Sequence, residues 1–170
     1  MTCSGKGRFD RMQSEALWIA KESVITGNVT LGKDSSVYYH AVLRGDVEPI
    51  VIGERTNIQD NCTLHVDEGF PLVIGDDVTV GHGAILHGCH IGCETVIGMG
   101  SIVMNGAVIG KQCMVGAGSL ITQNKQFDDG MLIMGNPARA VRKLSEDEIS
   151  HIKNNSEEYV KLAGKMRDAR

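Results

Sequence analysis

An all-β, single-stranded parallel β-helix of six-residue repeats, with an α-helix at its C-terminal end, is the fold class that this sequence predicts. Three observations predict it. Aliphatic residues return at every sixth position through most of the chain, 21 glycines stand beside only three prolines, and aromatics make up 4% of the 170 residues. An interior with so few rings has to be filled by aliphatic and small side chains, and the chain has to turn often.

The period runs from Ile19 through Ile25, Leu31 and Val37 to Leu43, then resumes at Ile52, Ile58 and Leu64. A third run takes Ile74, Val80 and Leu86, and a fourth continues from Ile91 through Ile97, Val103, Ile109 and Val115 to Ile121. Glycine follows the aliphatic residue repeatedly, as at Gly53, Gly75, Gly92 and Gly110, and small or β-branched residues recur four places on, as at Thr56, Ala84 and Ser101. An inward aliphatic anchor followed by a glycine turn describes short strands stacked coil upon coil. Three hexads close a triangular coil, and successive coils lie ~4.8 Å apart. Residues three hexads apart therefore stand one above another. The phase slips by three extra residues between Leu43 and Ile52, by four between Leu64 and Ile74, and falls one short between Leu86 and Ile91. Insertions of this kind are expected as surface loops, and the shortfall as a pinched corner.

Beyond Ile121 the pattern fades and ends in the turn cluster Gly135-Asn136-Pro137. Ser145 with Glu148 three places later reads as a helix capping box, and Ile149, Ile152, Tyr159, Ala163 and Met166 form an apolar stripe at helical spacing. The expected organisation is a β-helix with its lead-in and closing turn over residues 1–144 and a helix over 145–170, packed on the outside of the prism.

A net charge of −4 argues against nucleic acid as a partner, because phosphate binding needs Lys and Arg in surplus on one surface. The N-terminal sequence has no apolar run suited to a signal peptide or a membrane span, so no membrane partner and a cytoplasmic location are expected. Five cysteines are an odd number for a disulfide framework and are read as reduced. Cys62 and Cys113 fall at the small-residue place of the repeat, and Cys89 and Cys93 flank His90 without the further ligands that a zinc knuckle needs.

Stacking the repeats brings the polar residues into columns. Leu43, Leu64 and Leu86 are equivalent, so Arg44, His65 and His87 should form one vertical line, and two imidazoles at strand spacing can close on one metal ion. His82 belongs to another column, above Asp60. A coil turns by about 120° per hexad, so a partner chain has to bring His82 to the other two, and a closed threefold assembly supplies that rotation. Three histidines leave one tetrahedral position for water, whose pKa then falls towards ~7, giving a nucleophile for hydration or hydrolysis. Asn57, Gln59 and Asp60 come from neighbouring hexads. Arg44 and Asp46 are charges with two open roles, support of the site or an interface salt bridge. His40, His90 and His151 lack such partners and are read as structural.

The segments Leu43-Arg44-Gly45-Asp46, Asn57-Ile58-Gln59-Asp60-Asn61, Leu64-His65, Gly81-His82, Leu86-His87-Gly88-Cys89, Ile97-Gly98-Met99-Gly100 and Gly135-Asn136-Pro137-Ala138 together resemble the γ-class carbonic anhydrase family, in particular its compact bacterial members. The likeness runs from about Trp18 to the C-terminal helix. It implies a left-handed parallel β-helix, a homotrimer, and zinc, or iron or cobalt in its place, held by His65 and His87 of one chain and His82 of another. It implies carbon dioxide and bicarbonate as substrates, Gln59 beside the reacting oxygen, Arg44 and Asp60 in interface ion pairs, Asp46 supporting Arg44, and Tyr159 near the site. The family's long acidic loop is reduced here to a few residues, leaving Glu68 and Asp67 to carry protons out. Two other classes stay open: a hexapeptide-repeat acyltransferase acting on an acyl-CoA, and a non-catalytic metal-binding trimer.

Overall fold

Short strands, most of them two or three residues long, alternate with turns, and each lies parallel to the equivalent strand one coil away. The protein is described by a computed structural model covering residues 12–169. Three aliphatic columns meet along the axis. The first stacks Ile25, Leu43, Leu64, Leu86, Val103 and Ile121. The second stacks Leu31, Ile52, Ile74, Ile91, Ile109 and Phe127. The third runs from Ile19 and Val37 through Ile58, Val80, Ile97 and Val115 to Ile133. Nearly all of them belong to one continuous buried core. Each such side chain contributes roughly 1.5–3 kcal/mol on burial, so the coils hold one another, and the result is a parallel β-solenoid of about seven turns.

The three breaks in phase take three forms. Between Leu43 and Ile52 the expected loop is absent. Val42–Ile52 is one strand that passes through the corner between the first and second sides, and the surplus is absorbed as a register shift against Gly27 and Val29 of the strand Val24–Leu31. A bulge of this kind takes in extra residues without breaking the ladder. The second insertion does form a turn, in which the Phe70 N–H donates to the Asp67 carbonyl at 2.9 Å and Gly69 has φ +76°. At the shortfall Gly88 pinches the corner with φ +52°.

The glycine after each aliphatic anchor does not make the turn, contrary to the sequence reading. A Cβ on Gly53 would lie 2.5 Å from the carbonyl carbon of Gly75 in the next coil. Glycine is there because the backbones of successive coils come too close for a side chain. The left-handed turn positions fall instead on residues such as Asp34 and Asn61, at φ +58° and +59°, whose short polar side chains tolerate that region.

The solenoid ends in an antiparallel hairpin of Met131–Gly135 and Ala138–Lys143. Ser145 then caps the helix Glu146–Asp168 through the full reciprocal box with Glu148. Of the expected stripe, Ile152 and Ala163 are buried and Tyr159 and Met166 half-buried. Ala163 packs with Trp18, Ala20 and Tyr38, which seats the helix against the strands Trp18–Ile19, Ser36–Val37 and Asn57–Ile58 of the third side.

Candidate metal centre

Strand register sets the first half of the site. Arg44 pairs with His65, and His65 with His87, so the predicted column exists on three adjacent coils. His65 Nδ1 lies 2.9 Å from His87 Nε2, with the rings edge-on at 68°. The other nitrogen of each ring meets an oxygen: His65 Nε2 is 3.0 Å from Asp46 Oδ1, and His87 Nδ1 is 2.5 Å from Asn105 Oδ1. Arg44 Nη1 donates to Asp46 Oδ2. Partial burial of Asp46 works the other way, but the hydrogen bonds from His65 and Arg44 hold its carboxyl below the ordinary carboxylate range.

The second half lies beyond the other end of the strand Ile85–His87, where Gly81 and His82 lead into the turn at Gly83. His82 Nδ1 pairs with Asp60 Oδ2 at 2.8 Å, one coil below, as the column predicts. The His82 N–H donates to Gln59 Oε1 at 3.2 Å, and Gln59 Nε2 donates to Asn57 Oδ1 at 3.2 Å. Asn57 Nδ2 in turn donates to Thr79 Oγ1, which also receives Asn155 Nδ2 from the helix at 3.0 Å. Tyr159 stacks edge-on against Tyr38, with centroids 5.8 Å apart. Burial raises the Tyr159 hydroxyl above the usual phenol range and the Asp60 carboxylate adds to the rise, while a hydrogen bond with Gln59 opposes it. Tyr159 therefore stays protonated beside Gln59 and Asp60.

Of the sequence-predicted residues, Arg44, Asp46, His65 and His87 are gathered at one corner, and Gln59, Asp60, His82 and Tyr159 at another. Glu68 joins neither set; it is exposed on the turn behind His65. Among the described residues of one chain, no three His, Cys, Asp or Glu side chains are gathered closely enough to hold a metal ion. The donor set of the His65–His87 corner nevertheless fits one. Ligand bonds of ~2.0–2.1 Å at a tetrahedral angle put two zinc-bound nitrogens about 3.3 Å apart, so the observed pair needs to open by only about 0.4 Å.

Two participants escaped the sequence reading. Asn105 bonds His87, and Glu48 Oε1 accepts the Gly69 N–H at 3.2 Å, tying down the turn behind His65. Asn105 could have been found one place beyond the histidine column in the next coil, where Val103 stacks on Leu86. The four thiols among the described residues behave as read, and Cys3 lies outside those residues. Cys62, Cys89, Cys93 and Cys113 are free, and burial pushes the Cys62 and Cys89 thiols up to about 11 and about 12.

Residues 88–123 match the family described as Bacterial transferase hexapeptide (six repeats). A Methanocaldococcus jannaschii protein named "Probable carbonic anhydrase" is 50% identical over 152 residues, which span 89% of this chain and 96% of that one. An Arabidopsis thaliana protein, "Gamma carbonic anhydrase 1, mitochondrial", is 43% identical over 152 residues, 86% of this chain and 55% of that protein. The chain belongs to the γ-class carbonic anhydrase family. This γ-class member also resembles, with a TM-score of 0.85, a solved structure described as a hexapeptide transferase family protein from Anaplasma phagocytophilum, 44% identical and covered to 89% on both sides. Among the described residues, no helix of the γ-class chain is long and apolar enough to cross a membrane.

Proposed function

We propose that the chain is one subunit of a homotrimeric, metal-dependent carbonic anhydrase that interconverts carbon dioxide and bicarbonate, with zinc, or iron or cobalt in the same donor set, at each subunit interface. The observation that carries the reading is the split of the three histidines. His65 and His87 offer nitrogens 2.9 Å apart at one end of a prism side, and His82 stands beyond the other end of the strand Ile85–His87. A threefold axis that lays the His82 corner of one subunit against the His65–His87 corner of the next completes three equivalent sites. Exposed apolar side chains support that contact: Met99 beside His82, Met104 beside His87, and Ile85 and Ile102 on the side between. Contiguous apolar surface of this kind marks an interaction face.

When bound, the metal supplies the Lewis acidity that makes water nucleophilic near neutral pH. His65, His87 and His82 hold it. Asp46, kept ionised by its partners, orients His65 and is itself oriented by Arg44. Gln59 is fixed by the His82 N–H on its carbonyl and by Asn57 and Tyr159 at its Nε2, and a substrate oxygen would take over the Nε2 hydrogen now shared with Tyr159. A cleft of about 330 Å³ lies on the same interaction face, lined by Ile85, Ile102, Met104, His87, Asn105 and Gln123, and whatever part of it the neighbouring subunit leaves uncovered would give a small apolar molecule a way in. Hydration of carbon dioxide to bicarbonate releases one proton per turnover, and the exposed Glu68 carboxylate, on the turn that follows His65, would take it to solvent. Free buried thiols support a reducing, cytoplasmic setting.

The test is stopped-flow hydration of carbon dioxide by the zinc-loaded protein, with turnover expected to vanish on chelation. Full metal content without turnover overturns the enzymatic reading and leaves a metal-binding trimer. The likeness to a transferase-family structure favours a second reading, an acyl-CoA-dependent transferase; saturable binding of coenzyme A in calorimetry would favour it.

A further inference from the structure

We infer that Asn105, aimed by Asp67, is a positioning residue that sets the tautomer of His87 and so turns its Nε2 lone pair towards the metal; the inference rests on the metal-centre reading above. The first constraint comes from the exposed turn behind His65. Asp67 Oδ2 lies 3.2 Å from Asn105 Nδ2. A carboxylate can only accept, so the amide must present its NH₂ group to Asp67 and its oxygen to the other side. That oxygen, Oδ1, faces His87 Nδ1 at 2.5 Å. An amide oxygen has no hydrogen to give, so His87 must carry its proton on Nδ1, and its Nε2 is left with a lone pair.

Asp46 imposes the same logic on His65. Its carboxylate at Nε2 requires the proton there and leaves Nδ1 bare. The two bare nitrogens are the pair that face each other across 2.9 Å. Lone pairs so placed repel unless a cation lies between them. The hydrogen-bond partners behind the two rings thus specify a cation site in front of them, which neither ring does alone.

The path to Asn105 is built into the fold. Gly88 leaves room for the amide, since a Cβ there would lie 2.7 Å from Asn105 Oδ1. The turn that carries Asp67 is fixed twice, by the bridge between Asp67 and Phe70 and by the Gly69 N–H on Glu48.

The experiment compares wild type, Asn105→Leu and Asp67→Asn by zinc competition against a chromophoric chelator and by ¹⁵N imidazole NMR of the metal-free proteins. Loss of an outer partner of a histidine ligand weakens metal binding by roughly 10–100-fold. Asn105→Leu should show that loss with an unchanged melting temperature, and His87 should lose its preference for the Nδ1–H form. Asp67→Asn lets the amide face either way and should give a mixed tautomer and a smaller loss. Wild-type zinc affinity together with a retained Nδ1–H form in Asn105→Leu overturns the inference. Should that variant fail to fold, an unchanged His87 tautomer in Asp67→Asn, which alters only an exposed turn, overturns it equally. A wild type that takes up no zinc would sink the metal-centre reading, while the tautomer comparison in metal-free protein still decides the role of Asn105.

Discussion

Mixing two defective variants gives a quantitative test of the shared site. Take His65→Ala, which spoils the corner at the end of the strand Ile85–His87, and His82→Ala, which spoils the corner before it. Neither homotrimer contains a complete set of three histidines. In a remixed trimer, a complete site forms only where a His82→Ala subunit offers its intact His65–His87 corner to a His65→Ala neighbour that still has His82. For random assembly with a fraction x of one variant, the share of restored interfaces is x(1 − x), about one quarter at equal mixing for a closed ring. Denaturing and refolding the two together, confirming heterotrimers by native mass spectrometry of size-tagged chains, and measuring zinc per chain after dialysis against a weak chelator should give about a quarter of the wild-type content. The dependence on x should be a symmetric dome with its maximum at equal proportions. Confirmed heterotrimers that hold no more zinc than either parent would refute the intersubunit geometry.

Three further outcomes are expected. Turnover in carbon dioxide hydration should rise with imidazole-type buffer at fixed pH and ionic strength, because the short turn behind His65 gives little reach for a dedicated proton carrier, and Glu68→Gln should slow the reaction at low buffer only; stopped-flow assays across buffer concentrations decide this. Gly53→Ala should destabilise the fold by about 2 kcal/mol or more, since the new methyl meets the Gly75 backbone of the next coil, which cannot swing aside, as well as the Asp76 carboxylate; urea melts measure it. The bidentate bond from Arg142, helped by the Ser145 backbone N–H, depresses Glu148 to about 2. A carboxylate depressed on folding stabilises above its unfolded pKa and loses that contribution as pH falls through the folded value. The gap in melting temperature between wild type and Glu148→Gln should therefore be full at neutral pH and close between about pH 5 and pH 2; scanning calorimetry across that range checks it.

The columns were legible in the sequence because one rule, an aliphatic residue every sixth place, fixes both what is inside and what lies above what. His65 over Arg44, His87 over His65 and His82 over Asp60 all follow from it. What the rule could not supply was the behaviour of residues that break it. The extra residues after Leu43 read as a loop, yet a β-bulge takes them up within one strand, because the backbone that leaves the ladder after Gly45 rejoins the strand Val24–Leu31 at Ile50. The glycines were assigned to turns when their role is close approach between coils, a contact between distant parts of the chain that no local pattern reveals. Asn105 was missed because its role depends on a side chain reaching back one coil past Gly88, and Asp67 was read only as a proton carrier because the orientation it imposes on a neighbouring amide leaves no pattern in the sequence. The aromatic seat of the helix, Trp18 on Tyr38 and Tyr38 on Tyr159, joins residues from opposite ends of the chain and left no periodic trace.

A solenoid of identical coils carries in its geometry an invitation to grow without limit, since the final coil shows the next chain the same ladder it showed its own. Here the invitation is withdrawn on one side. The third side ends in the strand Ala138–Lys143, which runs against the grain of the parallel stack and exposes Arg139, Arg142 and Lys143 at the rim. The other two sides end in the two-residue strands Leu120–Ile121 and Gln126–Phe127, the same length as most strands of the stack. The molecule is thus a filament of defined length, halted after its last coil by a reversed and positively charged stop.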